Sequence, residues 1–159
     1  MSQERRFPLT PSQLQELICT VTQQITQSVA HIDLTPCELE PDPHQDLCFV
    51  YTTLSGVAPV RLVLCAERTF LQRLTENILG HSTSDPEDLE EYTIEFFNVL
   101  IGRLVGEFYR ATHIGARFHP PLFGEGHYTA QLASPEALKN SVSFSDSNSE
   151  HIMIVHDDF

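Results

Sequence analysis

The stretch IEFFNVLIGRLVGEF, residues 94–108, predicts a long helix that carries two glycines on its outer face. At about 100° per residue its apolar side chains gather on one side, which we expect to face the core. They are Phe97, Leu100, Ile101, Leu104 and Phe108, with Ile94 at the margin. Glu95 and Asn98 lie on the opposite side, and Gly102 and Gly106 follow them in the same row. Interior glycine costs about 1 kcal/mol relative to alanine, so the row predicts close approach by a neighbouring element or a partner protein.

The ends of this helix and of an N-terminal one have recognisable signals. Ser84 or Asp85 is a suitable N-cap for the long helix, and Pro86 fits its first turn. An earlier helix is predicted after Thr10, which with Gln13 has capping-box spacing. Its apolar stripe consists of Leu14, Leu17, Ile18, Val21 and Ile25. We therefore expect both helices to begin sharply and to pack one face on a common core.

Between these two helices the sequence predicts a short strand, a β-hairpin and one more helix. The hairpin joins LCFVYTTL (47–54) to PVRLVLCA (59–66), and the short strand lies in the proline-rich segment before it. The helix ERTFLQRLTENILG (67–80) lacks a strong N-cap and is expected to end at Gly80. After the long helix, β-rich runs follow at 116–123, 126–132, 141–145 and 151–157. This order predicts an α+β two-layer fold, with a mostly antiparallel sheet of about six strands, two to three helices and pseudo-repeated halves.

Size and charge limit the possible functions. The 159 residues suit one domain, 1–159, of which we expect residues 1–9 to be flexible. Nine basic residues against 22 acidic ones give a formal charge of −13, which argues against nucleic acid and against an anionic membrane surface as partners. No signal peptide and no apolar segment of about 20 residues is visible, so no membrane span is expected. Four widely spaced cysteines are expected to be reduced and at least half-buried, as in a cytoplasmic protein.

The segment around the outer row resembles the signature of the CheC, CheX and FliY family of chemotaxis response-regulator phosphatases. In that signature an acidic or serine position precedes a glutamate by four residues, and asparagine follows the glutamate by three. Glu91, Glu95 and Asn98 match these positions, although the family prefers Asp or Ser where Glu91 stands. Pro120 follows Asn98 after about 21 residues, as the family's proline does. The FGEGH segment (123–127) is similar to the turn after that proline, and a single motif copy is most like CheX.

The resemblance implies dephosphorylation of the phospho-aspartate of a CheY-like receiver domain, a hydrolase activity in chemotaxis or related two-component signalling. Asn98 would orient the attacking water, and Glu95 would pair with the receiver's lysine. Glu91 is a possible helper, Gly102 and Gly106 would let the helix lie against the receiver, and Pro120 would be structural. This chain would bind no cofactor, because the receiver supplies the Mg²⁺. Receivers are themselves often acidic, so recognition would have to be local rather than long-range.

Other interpretations remain open at this level. The same fold could serve as a catalytically inactive adaptor that docks receiver domains, or as a flagellar-switch relative that assembles through its sheet. An exposed edge strand at 141–145 or 151–157 could pair with its copy in a homodimer. The eight histidines form no metal-binding spacing and are expected to be incidental surface residues. No nucleophile elbow, phosphate loop or dinucleotide motif occurs.

Overall fold

Three helices and seven strands make up the part of the chain that the computed structural model describes, residues 8–38, 46–56, 60–125 and 140–158. The helices are α1 (Pro11–Ala30), α2 (Arg68–Leu79) and α3 (Pro86–Thr112). The strands are β1 (Thr35–Cys37), β2 (Leu47–Ser55), β3 (Val60–Glu67), β4 (Arg117–Phe118), β5 (Leu122–Glu125), β6 (Ser141–Ser145) and β7 (His151–Asp158). The predicted α+β fold is confirmed. The run at 126–132, most of residues 1–9 and the end of the FGEGH segment lie outside the described residues.

All strand pairs in the sheet are antiparallel, and their order exchanges strands between the two halves of the chain. The order is β1-β6-β7-β3-β2-β4, with β5 also pairing with β2. The first strand of the first half, β1, therefore pairs with β6 of the second half, while β4 and β5 of the second half pair with β2 of the first. The strands β3 and β7 meet at the centre. From either edge, the sheet begins with strands of one half of the chain, followed by two consecutive strands of the other half. This correspondence is expected for pseudo-repeated halves.

The expectation that β6 or β7 forms a free edge is wrong. β7 lies inside the sheet, hydrogen-bonded to β3 on one side and to β6 on the other. β6 is itself paired with β1, in a register that places Thr35 opposite Ser145. Neither strand offers a full free edge to a second copy of the chain, because long-range pairing with the first half occupies it. The outer strands of the described sheet are β1 at one side and β4 with β5 at the other.

The strands alternate between two faces, and the helices cover one of them. Leu62, Leu64 and Ile154 point to the helical face and belong to the main core, which also contains the apolar stripes of all three helices. On the other face a smaller cluster is buried, made of Leu47, Phe49, Val63, Cys65, Met153 and Val155. Period-two alternation explains this division, because neighbouring residues of a strand point to opposite sides of the sheet.

The predicted helix boundaries are confirmed. Thr10 caps α1 through a complete capping box, in which its hydroxyl accepts from the Gln13 amide at 3.1 Å and the Gln13 side chain accepts from the Thr10 amide at 2.9 Å. Asp85, rather than Ser84, caps α3. α2 has no side-chain cap and ends at Gly80, whose φ of 81° is left-handed. None of the described helices combines the length and apolar composition that crossing a lipid bilayer requires.

Cysteines and histidines occupy different environments in the described structure. The expected burial of the four cysteines is confirmed, since Cys48 and Cys65 are buried and Cys19 and Cys37 are half-buried. The expectation of surface histidines is wrong for His156, which is only 2% exposed. Its strand β7 is central rather than peripheral, and its Cα partner is Leu62 in β3. Placement in the middle of a covered sheet therefore buries this side chain.

Candidate functional site

Helix α3 is held on three sides, which leaves a single outer face free. It packs against α1, α2 and the strands β2 and β5. The predicted core residues Phe97, Leu100, Ile101, Leu104 and Phe108 are all buried. Leu89, Thr93 and Phe96 are buried as well, which the periodicity of one apolar stripe did not predict. The buried arc is wider than expected because α1 and α2 flank the helix while the sheet lies beneath it.

The outer face of α3 brings together five of the six predicted site residues. Glu91, Glu95, Gly102 and Gly106 are exposed, and Asn98 is half-buried. Residues three and four apart in a helix are neighbours on its surface, so Glu95 adjoins both Glu91 and Asn98. A carboxylate and a carboxamide therefore project side by side from one exposed turn. The pair is reachable from outside the molecule, as the sequence predicted.

Glu95 and Asn98 make no ion pair or side-chain hydrogen bond with any described part of the chain. Several other charged side chains are paired. Arg68 at the start of α2 donates to Glu125 of β5 at 2.5 Å, and Arg73 of α2 pairs with two carboxylates in the β6–β7 turn. Among the described residues the hydrogen-bonding groups of Glu95 and Asn98 thus have no partner, whereas the paired residues hold elements of the fold together.

Nothing in the described structure approaches the two glycines. A Cβ placed on Gly102 or Gly106 would meet no heavy atom within 4 Å. Of the two explanations for glycine in this row, close packing of a neighbouring element is therefore not observed among the described residues. Each glycine lowers helix stability by about 1 kcal/mol without relieving any internal crowding. Within the described residues the two glycines therefore leave open surface on this face of the helix.

Pro120 lies apart from the helix, in the link between β4 and β5. Both strands pair with β2, but at different places along it. The preceding residue, His119, fastens this link to β2. Its carbonyl oxygen accepts from the Thr52 hydroxyl at 2.6 Å, and its amide donates to the carbonyl of Thr53 at 3.3 Å. Proline fits a position where the chain changes direction without needing an amide donor.

Two apolar side chains on the outer face have an exposure that the sequence alone could not reveal. Val99 is 41% exposed and Tyr109 is 53% exposed. Helical periodicity places both within about 60° of Glu95 around the axis. Arg103 and Arg110 lie beside this row and both pair with Glu107, at 3.7 and 3.4 Å. The sequence locates these residues on the face, but only the packing of α1 and α2 decides that the face stays uncovered.

Cys48 and Cys19 are not activated nucleophiles. Burial raises the pKa of the Cys48 thiol to about 11, although the nearby Arg68 guanidinium opposes this shift. Burial, with a smaller contribution from Glu16, also raises the pKa of Cys19. A raised pKa keeps a thiol protonated and unreactive at neutral pH. In the part of the chain that the structure describes, no three His, Cys, Asp or Glu side chains are grouped as a metal site would require.

The fold is that of CheX proteins. The chain is similar to the chemotaxis protein CheX from Desulfovibrio desulfuricans, with a TM-score of 0.71 and 14% identity over 92% of this chain and 99% of that one. CheX from Vibrio vulnificus matches with a TM-score of 0.70 and 13% identity over 94% and 99% of the two chains. A third structure, a CheX-CheY-BeF₃-Mg²⁺ complex from Borrelia burgdorferi, matches with a TM-score of 0.66 and 15% identity, over 89% of this chain and 94% of that one. No protein-family model and no curated protein matches the chain. The predicted resemblance is thereby confirmed for the fold.

Proposed function

We propose that this protein dephosphorylates the phospho-aspartate of a CheY-like receiver domain, in chemotaxis or a related two-component pathway of the cytoplasm. The observation that carries the proposal is the solvent-accessible pair of exposed Glu95 and half-buried Asn98, which has no partner among the described residues. A fold shared with CheX proteins, one of them in a complex with CheY, BeF₃ and Mg²⁺, supports the choice of partner. The pair would enter the receiver's acyl-phosphate pocket from above as the helix docks.

Asn98 would orient the attacking water. Hydrolysis requires a water oxygen in line with the phosphorus–oxygen bond that breaks, and phosphoryl transfer depends mainly on position and charge stabilisation. A carboxamide can accept one hydrogen bond from this water and donate another to it or to a phosphoryl oxygen. It holds the water without being a strong base. The water oxygen forms a bond to phosphorus while the bond between phosphorus and the aspartate oxygen breaks. The aspartate leaves as a carboxylate, and the other product is inorganic phosphate, which contains the oxygen of the water.

Glu95 would anchor the helix by pairing with the receiver's lysine. A carboxylate–ammonium pair enclosed in a pocket forms charge-assisted hydrogen bonds, which are stronger than neutral ones. Glu91, one turn earlier and exposed, would assist at the rim of the pocket. The Mg²⁺ would come with the receiver, which holds it beside its own aspartates. This chain therefore needs no nucleophile, metal or cofactor of its own, since it completes a site that the receiver already contains.

Phosphate release from phosphorylated receivers tests this function. We expect the full chain to accelerate release from at least one receiver encoded in the same genome. Asn98→Ala should lower the rate at saturating receiver by about 100-fold or more, because the water is no longer held in line. Asn148→Ala makes the same chemical change in the exposed β6–β7 turn and serves as a control with full activity. Full activity of Asn98→Ala would show that the assigned role is wrong.

A receiver-binding adaptor is the alternative, and the same exposed pair would serve it. An adaptor would form a stable complex with a beryllofluoride-activated receiver but would leave the phosphorylated receiver's lifetime unchanged. A flagellar-switch relative that assembles through its sheet would bind no receiver at all. Binding measured together with phosphate release therefore separates the three functions.

A further inference from the structure

The outer face of α3 continues well past the Glu95–Asn98 pair. Beyond the pair come the two open glycines, Gly102 and Gly106, and then Tyr109 at the far end. The edge of the Tyr109 ring meets His113, with ring centroids 6.1 Å apart and planes at 84°. At 1.5 Å per residue, Glu95 and Tyr109 are about 21 Å apart along the axis. An aromatic residue this exposed, on a row without cover, is a feature of protein interfaces.

The charges on α3 are divided between its two ends. The first half carries Glu87, Asp88, Glu90, Glu91 and Glu95 without a basic residue. The second half carries Arg103 and Arg110, which are exposed and share the single carboxylate of Glu107. Two guanidinium groups against one carboxylate leave a local positive charge. In a chain with a formal charge of −13, this end of the helix is a rare place where an acidic partner would be attracted.

We infer that α3 docks along its whole outer face, so that Val99, Gly102, Gly106 and Tyr109 contact the receiver surface beside the acyl-phosphate pocket. Arg103 and Arg110 pair with acidic groups at the rim of that contact. The inference rests on the proposed function. A helix is rigid over this length, and the face is continuous with Glu95 and Asn98. Once the pair is inside the pocket, the rest of the row lies against whatever adjoins the pocket.

The open glycines give this docking surface its shape. Because neither glycine carries a side chain, the row presents bare backbone between Val99 and Asn98 on one side and Tyr109 on the other. A receiver loop can approach the helix backbone there more closely than side chains would allow. Apolar contact on both sides of this bare backbone and the paired arginines beside it would compensate for repulsion between two acidic proteins. Electrostatic attraction would then be confined to this contact, in agreement with the expectation that the receiver is recognised by local contacts rather than by long-range charge.

The test measures binding and turnover separately, with the full chain and a receiver that it dephosphorylates. Binding is followed with the receiver held active by beryllofluoride and Mg²⁺. We expect Tyr109→Ala to raise the Kd and the KM about tenfold and to leave kcat unchanged. The double variant Arg103→Gln/Arg110→Gln should have the same effect. The arginine variant should also have a weaker dependence of the Kd on salt, because fewer opposite charges meet.

Gly102→Leu provides the sharpest variant, because a Cβ at this position meets no described heavy atom within 4 Å. We expect it to weaken receiver binding by about 100-fold while the chain unfolds no more easily than before. Ser28→Leu adds the same side chain at an exposed position of α1 and should bind as the unchanged protein does.

The results separate failure of the docking surface from failure of the proposed function. If the unchanged chain acts on a receiver and all three variants keep its Kd, the docking surface is wrong but the phosphatase function stands. If the variants lower kcat and leave Kd and KM unchanged, these residues act in the chemistry and the docking surface is again wrong. If the unchanged chain neither binds nor dephosphorylates any receiver, both proposals fail.

Discussion

Gly102 stands one turn beyond Asn98 on the outer face of α3, where Asn98 is half-buried and Gly102 has no heavy atom within 4 Å of the position its Cβ would take. The two residues thus lie in one row but differ in what surrounds them. Asn98 is partly enclosed by its neighbours, as the proposed water-orienting role requires. The space beside Gly102 is empty of described atoms, and glycine at this position makes the helix less stable than alanine would.

Alanine at Gly102 should stabilise the free protein. We expect Gly102→Ala to raise the free energy of unfolding by about 0.5–1 kcal/mol, since alanine is the better helix former and nothing obstructs its methyl group. Gly80→Ala should lower it by about 1 kcal/mol, because Gly80 has a left-handed φ of 81°. Urea unfolding measures both values. If Gly102→Ala were destabilising, some contact that the structure does not show would have to exist at this site.

The capping box of α1 should contribute measurably to stability. Thr10→Ala removes the hydroxyl that accepts from the Gln13 amide, and we expect a loss of about 1 kcal/mol in the free energy of unfolding. Thr20→Ala, at an exposed position in the middle of the same helix, is the matched control and should change the value by less than about 0.5 kcal/mol. Equal effects of the two substitutions would show that the cap has no special role.

The ion pairs of Arg73 should matter far more than those of Arg103. Arg73 pairs with the carboxylate of Asp146, whose side chain is 0% exposed, and with Glu150 at 3.0 Å. Arg73→Met would leave a buried carboxylate without its cation, so we expect a loss of about 2 kcal/mol or more. Arg103→Met breaks an exposed pair with Glu107 and should cost about 0.5 kcal/mol or less. Chemical denaturation of both variants in the same buffer measures the two losses in the free energy of unfolding.

Cys48 should make the protein less stable in alkali. Its folded-state pKa is raised to about 11 from the ordinary 9.0, chiefly by burial. Between these values the unfolded chain loses the thiol proton while the folded chain keeps it. Unfolding is then favoured by up to about 1.4 kcal/mol per pH unit. Cys48→Ala should show a smaller fall in stability from pH 9 to pH 11 than the unchanged protein does. Parallel curves for the two proteins would mean that the thiol titrates normally.

The charge of Glu95 should be required for receiver binding. Glu95→Gln keeps the length and shape of the side chain but removes the carboxylate that would meet the receiver's lysine. We expect the Kd for a beryllofluoride-activated receiver to rise about tenfold, in the range for a lost charge-assisted hydrogen bond. Glu90→Gln removes an equal charge from an exposed position of α3 outside the row and should change the Kd by less than about twofold. An equal effect of both would point to net charge instead of a specific contact.

Local signals in the sequence predicted the helices better than they predicted the sheet order. Thr10 and Asp85 cap their helices through bonds to residues two or three positions away, so their roles are readable from neighbouring residues. The pairing of Thr35 with Ser145 joins residues far apart in the chain. A strand's alternation shows which face is buried, but it does not identify the partner strand. The edge assignment of β6 and β7 failed for this reason.

The site was predicted in part for a similar reason. Helical spacing alone places Glu95 and Asn98 side by side, and that relation needs no tertiary information. Whether the row they belong to is covered depends on how α1 and α2 flank α3, which no local pattern encodes. The exposure of Tyr109 and the open space at Gly102 follow from that packing. Burial of Phe96, in the middle of the motif, follows from it as well.

The exchange of first strands between the two halves has a consequence for how the chain folds. Neither half can complete a sheet alone, since β1 needs β6 and β2 needs β5. Such distant pairing raises contact order and slows folding. A chain that lacks β6 and β7 cannot complete the sheet against which α3 packs. We would then expect α3 not to be ordered for a partner. We therefore expect the outer face of α3 to become ordered only after β6 and β7 have joined the sheet.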